Sequence, residues 1–197
     1  MKSPVPNLTP TYLGDYSPYK HDMAKAKALM KEAGMDKAPI PVDLAIRVGW
    51  PTHEQASVWL QRELEQIGFK VNIVKETDAT FRQIATKGDH QLSIEAWQSW
   101  INDPFYHLTF LFNSKSKFTN LSFYSNPAVD KLIDDNMHET NRDKRAAASR
   151  DVQKLVIDDA VWGLLWYENW TRVGTADLSG LEKRWDTFER YYSLKRG

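Results

Sequence analysis

Between residues 40 and 96 the hydrophobic pattern switches period again and again, and few folds tolerate that rhythm. Val42, Leu44 and Ile46 alternate as a half-buried strand does. From Thr52 the apolar residues Ala56, Trp59, Leu60, Leu64 and Ile67 recur at helical spacing, and Gly68 supplies the stop. Thr52 and Gln55 are spaced for a capping box at the start of that helix. Phe69, Val71 and Ile73 alternate again, a short helix follows near 78–87, and Leu92, Ile94 and Ala96 form a third strand after Gly88-Asp89. The order βαβαβ predicts a layered α/β sheet joined by crossover helices. Ahead of it, Pro4, Pro6, Pro10 and Pro18 make residues 1–20 an extended, irregular lead-in. Asp22 then caps a helix over roughly 23–33, with Ala26, Leu29, Met30 and Ala33 on one face and Gly34 as its stop.

The second half reads as more helical. Asp103-Pro104 and Asn126-Pro127 each pair an N-cap residue with a first-turn proline. Phe105, Leu108, Phe110 and Leu111 follow the first pair, and Val129, Leu132, Ile133 and Met137 the second. Arg142 to Asp159 forms a longer helix with Val152, Leu155 and Val156 inward, and Val161 to Trp166 reads as a continuous apolar strand. From Thr175 the tail is polar and irregular apart from Phe188, Tyr191 and Tyr192.

Several function classes fall away on composition and spacing. At 197 residues, 42% hydrophobic and 26% charged, the chain can bury one sizeable core. Basic and acidic residues balance at 26 each, so the net field favours no nucleic acid. No run approaches the ~18 apolar residues of a membrane span. Met1-Lys2-Ser3-Pro4 opens no signal peptide, and the absence of cysteine excludes disulfides and thiol catalysis. The histidines at 21, 53, 90, 107 and 138 include no i, i+4 pair, and Ser57 stands where a zinc-protease helix following His53-Glu54 would place its second histidine. There is no Gly-x-Ser-x-Gly elbow and no glycine-rich phosphate loop. Asp134-Asp135 and Asp158-Asp159 are helical neighbours pointing about 100° apart, as on a solvated face. No catalytic residue, metal site or cofactor is assigned.

Eight Trp, eight Tyr and eight Phe give 12% aromatics, which either fill a core or line a recognition surface. Trp97, Gln98, Ser99, Trp100, Ile101 and Asn102 follow a strand end and precede the Asp103-Pro104 helix start. In α/β sheets ligands gather at that carboxyl edge. Two indole faces with Gln98, Ser99 and Asn102 between them suit stacking plus hydrogen bonding. On the plainer reading Trp97 is buried under the helix and Asn102-Asp103 only caps it. Arg47 and Trp50 hold the equivalent place after the first strand. Arg47 either forks onto a ligand carboxylate or phosphate or forms a surface ion pair.

At these positions the chain resembles family 5 of the extracellular solute-binding proteins, the peptide-, nickel- and opine-binding proteins of ABC importers. The likeness runs from about residue 16 to about 175. It is carried by Tyr19, Asp22, Lys25-Ala26-Lys27 and Glu32-Ala33-Gly34, with Met23 where the family usually has proline. Leu64 to Val71, Gly88-Asp89 leading to Ala96-Trp97, Asp103-Pro104, Tyr124 to Ile133, and Arg145 with Gln153 and Asp158 continue it. Singly these pieces are weak; in this order and spacing they are specific.

The resemblance implies an α/β fold, one lobe of a type II periplasmic-binding-protein-like architecture with a mixed sheet flanked by helices. It implies a full-length protein about twice this size, with residues 16–175 as most of its C-terminal lobe. Segments 1–15 and 176–197 would cross into a missing N-terminal lobe, and Met1 would be a truncated or artificial start. The implied function is recognition of a peptide, opine or related small solute for uptake, by two-lobe closure without covalent chemistry. Its partners would be that solute, the permease subunits and the missing lobe, in the periplasm or outside the cell. Dipeptide-binding members carry an aspartate where Trp100 stands, and the resemblance places Arg47 at their carboxylate-holding arginine. An indole offers an ammonium only a cation–π contact, which disfavours a free dipeptide against an opine, a sugar-bearing solute or a peptide held by its backbone. A reading from another class is a protein-interaction or sensory, chaperone-like domain that uses the same Trp-lined face.

Overall fold

A computed structural model describes residues 1–98, 100–169, 171–182, 184, 186, 188 and 190–197. The chain divides into two compact units, Pro18–Ala96 with Lys117–Phe123, and Met1–Ser17 with Trp97–Ser116 and Tyr124–Gly197. The lead-in packs with the second half of the chain.

The first unit holds α1 (Met23–Glu32), β1 (Ile40–Arg47), α2 (Pro51–Glu65), β2 (Phe69–Glu76), α3 (Asp78–Lys87) and β3 (Leu92–Ser93). Its sheet runs in the order β2-β1-β3 and is parallel throughout rather than mixed. β1 pairs with β2 along its whole length, from Ile40 beside Phe69 to Arg47 beside Glu76. As the central strand it is covered on both faces, so Leu44, Ala45, Ile46 and Arg47 are all buried. β3 stops short of Ala96. Ile94 still donates to the Ala45 carbonyl at 3.1 Å, but the Ala96 N–H turns to the Glu95 carboxylate at 3.1 Å.

Local signals set the helix ends here. Asp22 accepts from the Lys25 N–H at 2.9 Å, and Gly88 closes α3 at φ +76, where a Cβ would press on the Phe123 ring at 3.0 Å. α2 departs from its expected start. Pro51 occupies its first turn with no side-chain cap, because a fixed φ near −65° suits that position better than a Thr52 cap one residue later. Its buried stripe is His53 and Ser57, which leaves Trp59 on the far side at 50% exposure rather than in the core.

The second unit is built on α4 (Pro104–Phe112), α5 (Pro127–Asn136) and α6 (Arg142–Asp158), followed by the short antiparallel pair β4 (Leu178–Ser179) and β5 (Lys195–Arg196). Asp103, Asn126 and Asn141 cap the three helices, and proline occupies the first turn of α4 and α5. Phe105, Leu108, Leu111, Phe112, Val129, Ile133, Val152 and Val156 form one core, which Val5 joins from the lead-in. The expected strand over Val161–Trp166 forms no ladder. A strand needs a neighbour, and this segment is held instead by single bonds, such as the Met1 ammonium to the Leu165 carbonyl at 3.1 Å.

The lead-in is anchored on Gln153, which is wholly buried. Its Oε1 accepts from Ser3 Oγ at 2.6 Å and from the Leu13 N–H at 3.2 Å, while Nε2 donates to the Thr11 carbonyl at 3.0 Å. Replacing Gln153 with Leu strands these groups, each worth about 1–3 kcal/mol when buried unpaired. Urea unfolding of Gln153→Leu is expected to show a loss of about 3 kcal/mol.

His107, on α4, is buried with Nε2 unpartnered. Desolvation holds its pKa down at about 4, against a weaker upward pull from Asp103. The unfolded chain protonates near pH 6.5 and the folded chain near 4, so stability falls as pH drops across that window. Denaturation across pH 4–7 is expected to show a decline of about 3 kcal/mol toward acid, flattened in His107→Leu.

Candidate functional site

In the α/β unit the carboxyl end of β1 delivers Arg47, followed by Val48, Gly49 and Trp50. Gly49 turns the chain at φ +80 with open space around it. Arg47 is not presented to solvent. It is 3% exposed, with Nη2 at 2.5 Å from Glu95 Oε1 and Nε at 2.8 Å from Asp78 Oδ1. The Asp78 contact lies off the N–H axis, so it is an ion pair without a hydrogen bond. The Phe81 ring lies 4.3 Å from the guanidinium carbon and the Trp50 ring 5.7 Å. The ion-pair reading of Arg47 thus describes its contacts, though the pair is internal rather than superficial. Trp50 leans on the His53 ring at 4.9 Å and keeps 37% of its surface exposed.

The second unit carries the remaining candidates on the segment entering α4. Trp97 is half-buried against Phe110 and Tyr106, at 6.0 and 6.2 Å between ring centroids, and its Nε1 has no partner. Gln98 Nε2 donates to the Asp186 carbonyl at 2.9 Å. Ser99 lies outside the described residues. Trp100 is 60% exposed, with the Phe188 ring 6.3 Å away, and Asn102 is exposed. Asp103 accepts from the Phe105 N–H at 2.8 Å and forks with Arg145 at 2.7 and 3.0 Å.

Tyr106 and Phe110, against which Trp97 packs, line a concave surface. An open cavity of about 210 Å³ is lined by Ile101, Tyr106, Phe110 and Met137, with the Asp103–Arg145 pair and Thr109 completing it. The Thr109 hydroxyl is buried without a partner. Sequence reasoning missed Tyr106, Thr109, Met137 and Arg145 as lining residues. A signal existed in α4, which is apolar nearly all round and so has more than its core face to cover. Glu95 was missed as well. It continues β3 beside β1, where the register that pairs Ala45 with Ser93 brings it next to Arg47.

The arrangement suits recognition by stacking and hydrogen bonding. The aspartate doublets serve local structure. Asp134 binds Lys115 and Asn113, Asp135 binds Lys131, and Asp158 accepts from Tyr16. Asp159 accepts from Tyr124 and Asn126, hydrogen bonds that hold its carboxyl below the usual carboxylate range. Among the described residues no group of three His, Asp or Glu is placed to hold a metal.

Comparison with known proteins agrees with this architecture. The sequence model of the bacterial extracellular solute-binding proteins, family 5 Middle, matches residues 1–119. The chain is 29% identical to the "Probable D,D-dipeptide-binding periplasmic protein DdpA" of Escherichia coli, over 91% of its own length and 35% of that protein. It is 28% identical to the glutathione-binding protein GsiB of Pectobacterium atrosepticum, over 94% of its length and 37% of the relative. The periplasmic binding protein DppA of Helicobacter pylori, solved with the peptide STSA, shares the fold at a TM-score of 0.76 and 24% identity, over 82% of this chain and 32% of DppA. The curated relatives are thus about two and a half times as long as this chain, more than the twofold expected. With more than half of its residues matched by the family model, and spanning about a third of the length of its relatives, the chain belongs to the bacterial extracellular solute-binding proteins, family 5.

Proposed function

We propose that this chain recognises a small polar solute or peptide and, as part of a longer protein, serves its uptake through an ABC importer. Recognition would proceed by closure of two lobes on the solute, a shift of an open–closed equilibrium by contacts from both, with no covalent chemistry. The permease subunits would be the protein partners, and the site of action the periplasm or the cell exterior. What carries this reading is the exposed indole of Trp100 on the segment leaving β3, in a chain of a solute-binding family. Within the α/β unit, Trp50 at the end of β1 offers a separate partly exposed ring. Gln98, Ser99 and Asn102 would orient the solute, although Gln98 already bonds Asp186 and would have to exchange that contact.

Two relatives are named for D,D-dipeptide and glutathione binding, and DppA of Helicobacter pylori was solved with a peptide. At Trp100 the solute would meet a ring face rather than a carboxylate, so an ammonium it carries would be met elsewhere. Native mass spectrometry of the longer protein, purified without added ligand, is expected to show a co-purified small molecule. A stable protein complex without one would support a protein-interaction domain instead. Trp100→Ala is expected to weaken binding of that molecule about tenfold or more, one stacked ring being worth about 1.5 kcal/mol beyond its buried area. Its unfolding free energy should stay within about 0.5 kcal/mol of the parent's, as for an exposed side chain. Unchanged affinity would remove Trp100 from the site.

A further inference from the structure

At the carboxyl end of β1, the guanidinium that could fork onto a solute carboxylate is already occupied by one of the chain's own. Glu95 Oε1 sits 2.5 Å from Arg47 Nη2, and its second oxygen accepts the Ala96 N–H at 3.1 Å, so both oxygens are fixed. Asp78, first residue of α3, lies 2.8 Å from Arg47 Nε. Phe81 at 4.3 Å and Trp50 at 5.7 Å flank the guanidinium. Side-chain exposure ranks these groups clearly: Arg47 retains 4%, Glu95 25% and Asp78 74%. A solute reaching Arg47 therefore meets the Asp78 and Glu95 carboxylates and the partly exposed Trp50 before it meets the guanidinium. One positive charge and two negative ones leave the cluster net acidic.

We propose that Glu95 determines specificity here: it closes the end of β1 to solutes bearing a carboxylate or phosphate and favours a group carrying an ammonium. An incoming anion would have to displace Glu95, leaving a half-buried carboxylate without its partner, which is costly in a low-dielectric setting. An ammonium instead meets Asp78 and Glu95 by charge and Trp50 by its ring face. Arg47 then acts as a positioning residue that holds Glu95, not as a ligand contact. The inference rests on the solute-recognition reading for its ligand class, while the occupancy of Arg47 stands apart from it.

Two measurements on the full chain test it. Arginine labelling with phenylglyoxal, read by peptide mass mapping, needs no ligand. Arg47 is expected to react at least about tenfold more slowly than the exposed Arg196, and Glu95→Ala to raise its rate about tenfold. Equal labelling of Arg47 and Arg196, or no change in Glu95→Ala, overturns the proposal. Glu95→Gln keeps the side chain's size and its acceptor for Ala96, which guards against a variant that fails to fold. The second measurement compares alanyl-alanine amide, a cation, with N-acetyl-alanyl-alanine, an anion, by calorimetry. The parent chain is expected to bind the cation at least about tenfold more tightly, and Glu95→Gln to erase most of that preference. Tighter binding of the anion by the parent chain refutes the assignment. Should neither probe bind, the solute-recognition reading loses support, and the labelling alone decides whether Glu95 occupies Arg47.

Discussion

The helical unit depends on a single amide. Gln153 sits within α6 with no exposure, and both ends of its side chain engage the lead-in. Nε2 also donates to the Ser149 carbonyl one turn earlier, and Ser149 Oγ reaches Thr11 Oγ1 at 2.9 Å. Proline-rich chain cannot form a ladder of its own, so its buried backbone groups require side-chain partners. One glutamine offers an acceptor with two lone pairs and two donors, enough to satisfy an acceptor and two donors at once. The lead-in in turn places Val5 in the core, and its Ser3 and Val5 carbonyls receive the Tyr167 hydroxyl at 3.4 and 3.2 Å. Residues nearly the whole chain apart are thereby joined through one buried polar cluster.

The α/β unit rests on a different constraint, the central position of β1. A strand covered on both faces cannot carry a charge without a partner, because burial removes the water that would screen it. Arg47 is the last residue of that strand, and the unit answers with Glu95 from the continuation of β3 and Asp78 from the start of α3. The same requirement shortens β3. Once Glu95 turns to Arg47, its second oxygen takes the Ala96 N–H and the ladder ends. Sheet length, charge placement and the shape of the candidate edge thus follow from one buried guanidinium.

What could be read in the chain divides by range. The caps at Asp22, Asp103 and Asn126 were legible because each acts within a few residues of itself. Glycine at 88 was legible as a stop for the same reason. The α2 start was misread because two local signals competed, and the proline at 51 prevailed over the Thr52–Gln55 box. Trp59 was misread because helical spacing defines a stripe but not which stripe the sheet covers, and the covered one runs through His53 and Ser57. The partner of Arg47 was unreadable for want of a register, since residues 47 and 95 meet only once β3 is laid beside β1. The stacking of Trp97 on Tyr106 and Phe110 likewise depends on how the segment enters α4.

By itself the sequence determined the succession of strands and helices from α1 to α6, most of their ends, and membership of a solute-binding family. The elements and their ends follow from periodicity and from short-range hydrogen bonding, both written locally in the chain, whereas the family follows from the likeness of its motifs. Only the tertiary structure decided that Arg47 is occupied by Glu95, that Trp97 is packed while Trp100 stands open, and that the lead-in belongs with the helices. Those outcomes depend on which surfaces face each other, and burial, which sets whether a charge or a ring is available to a solute, exists only once distant parts of the chain have come together.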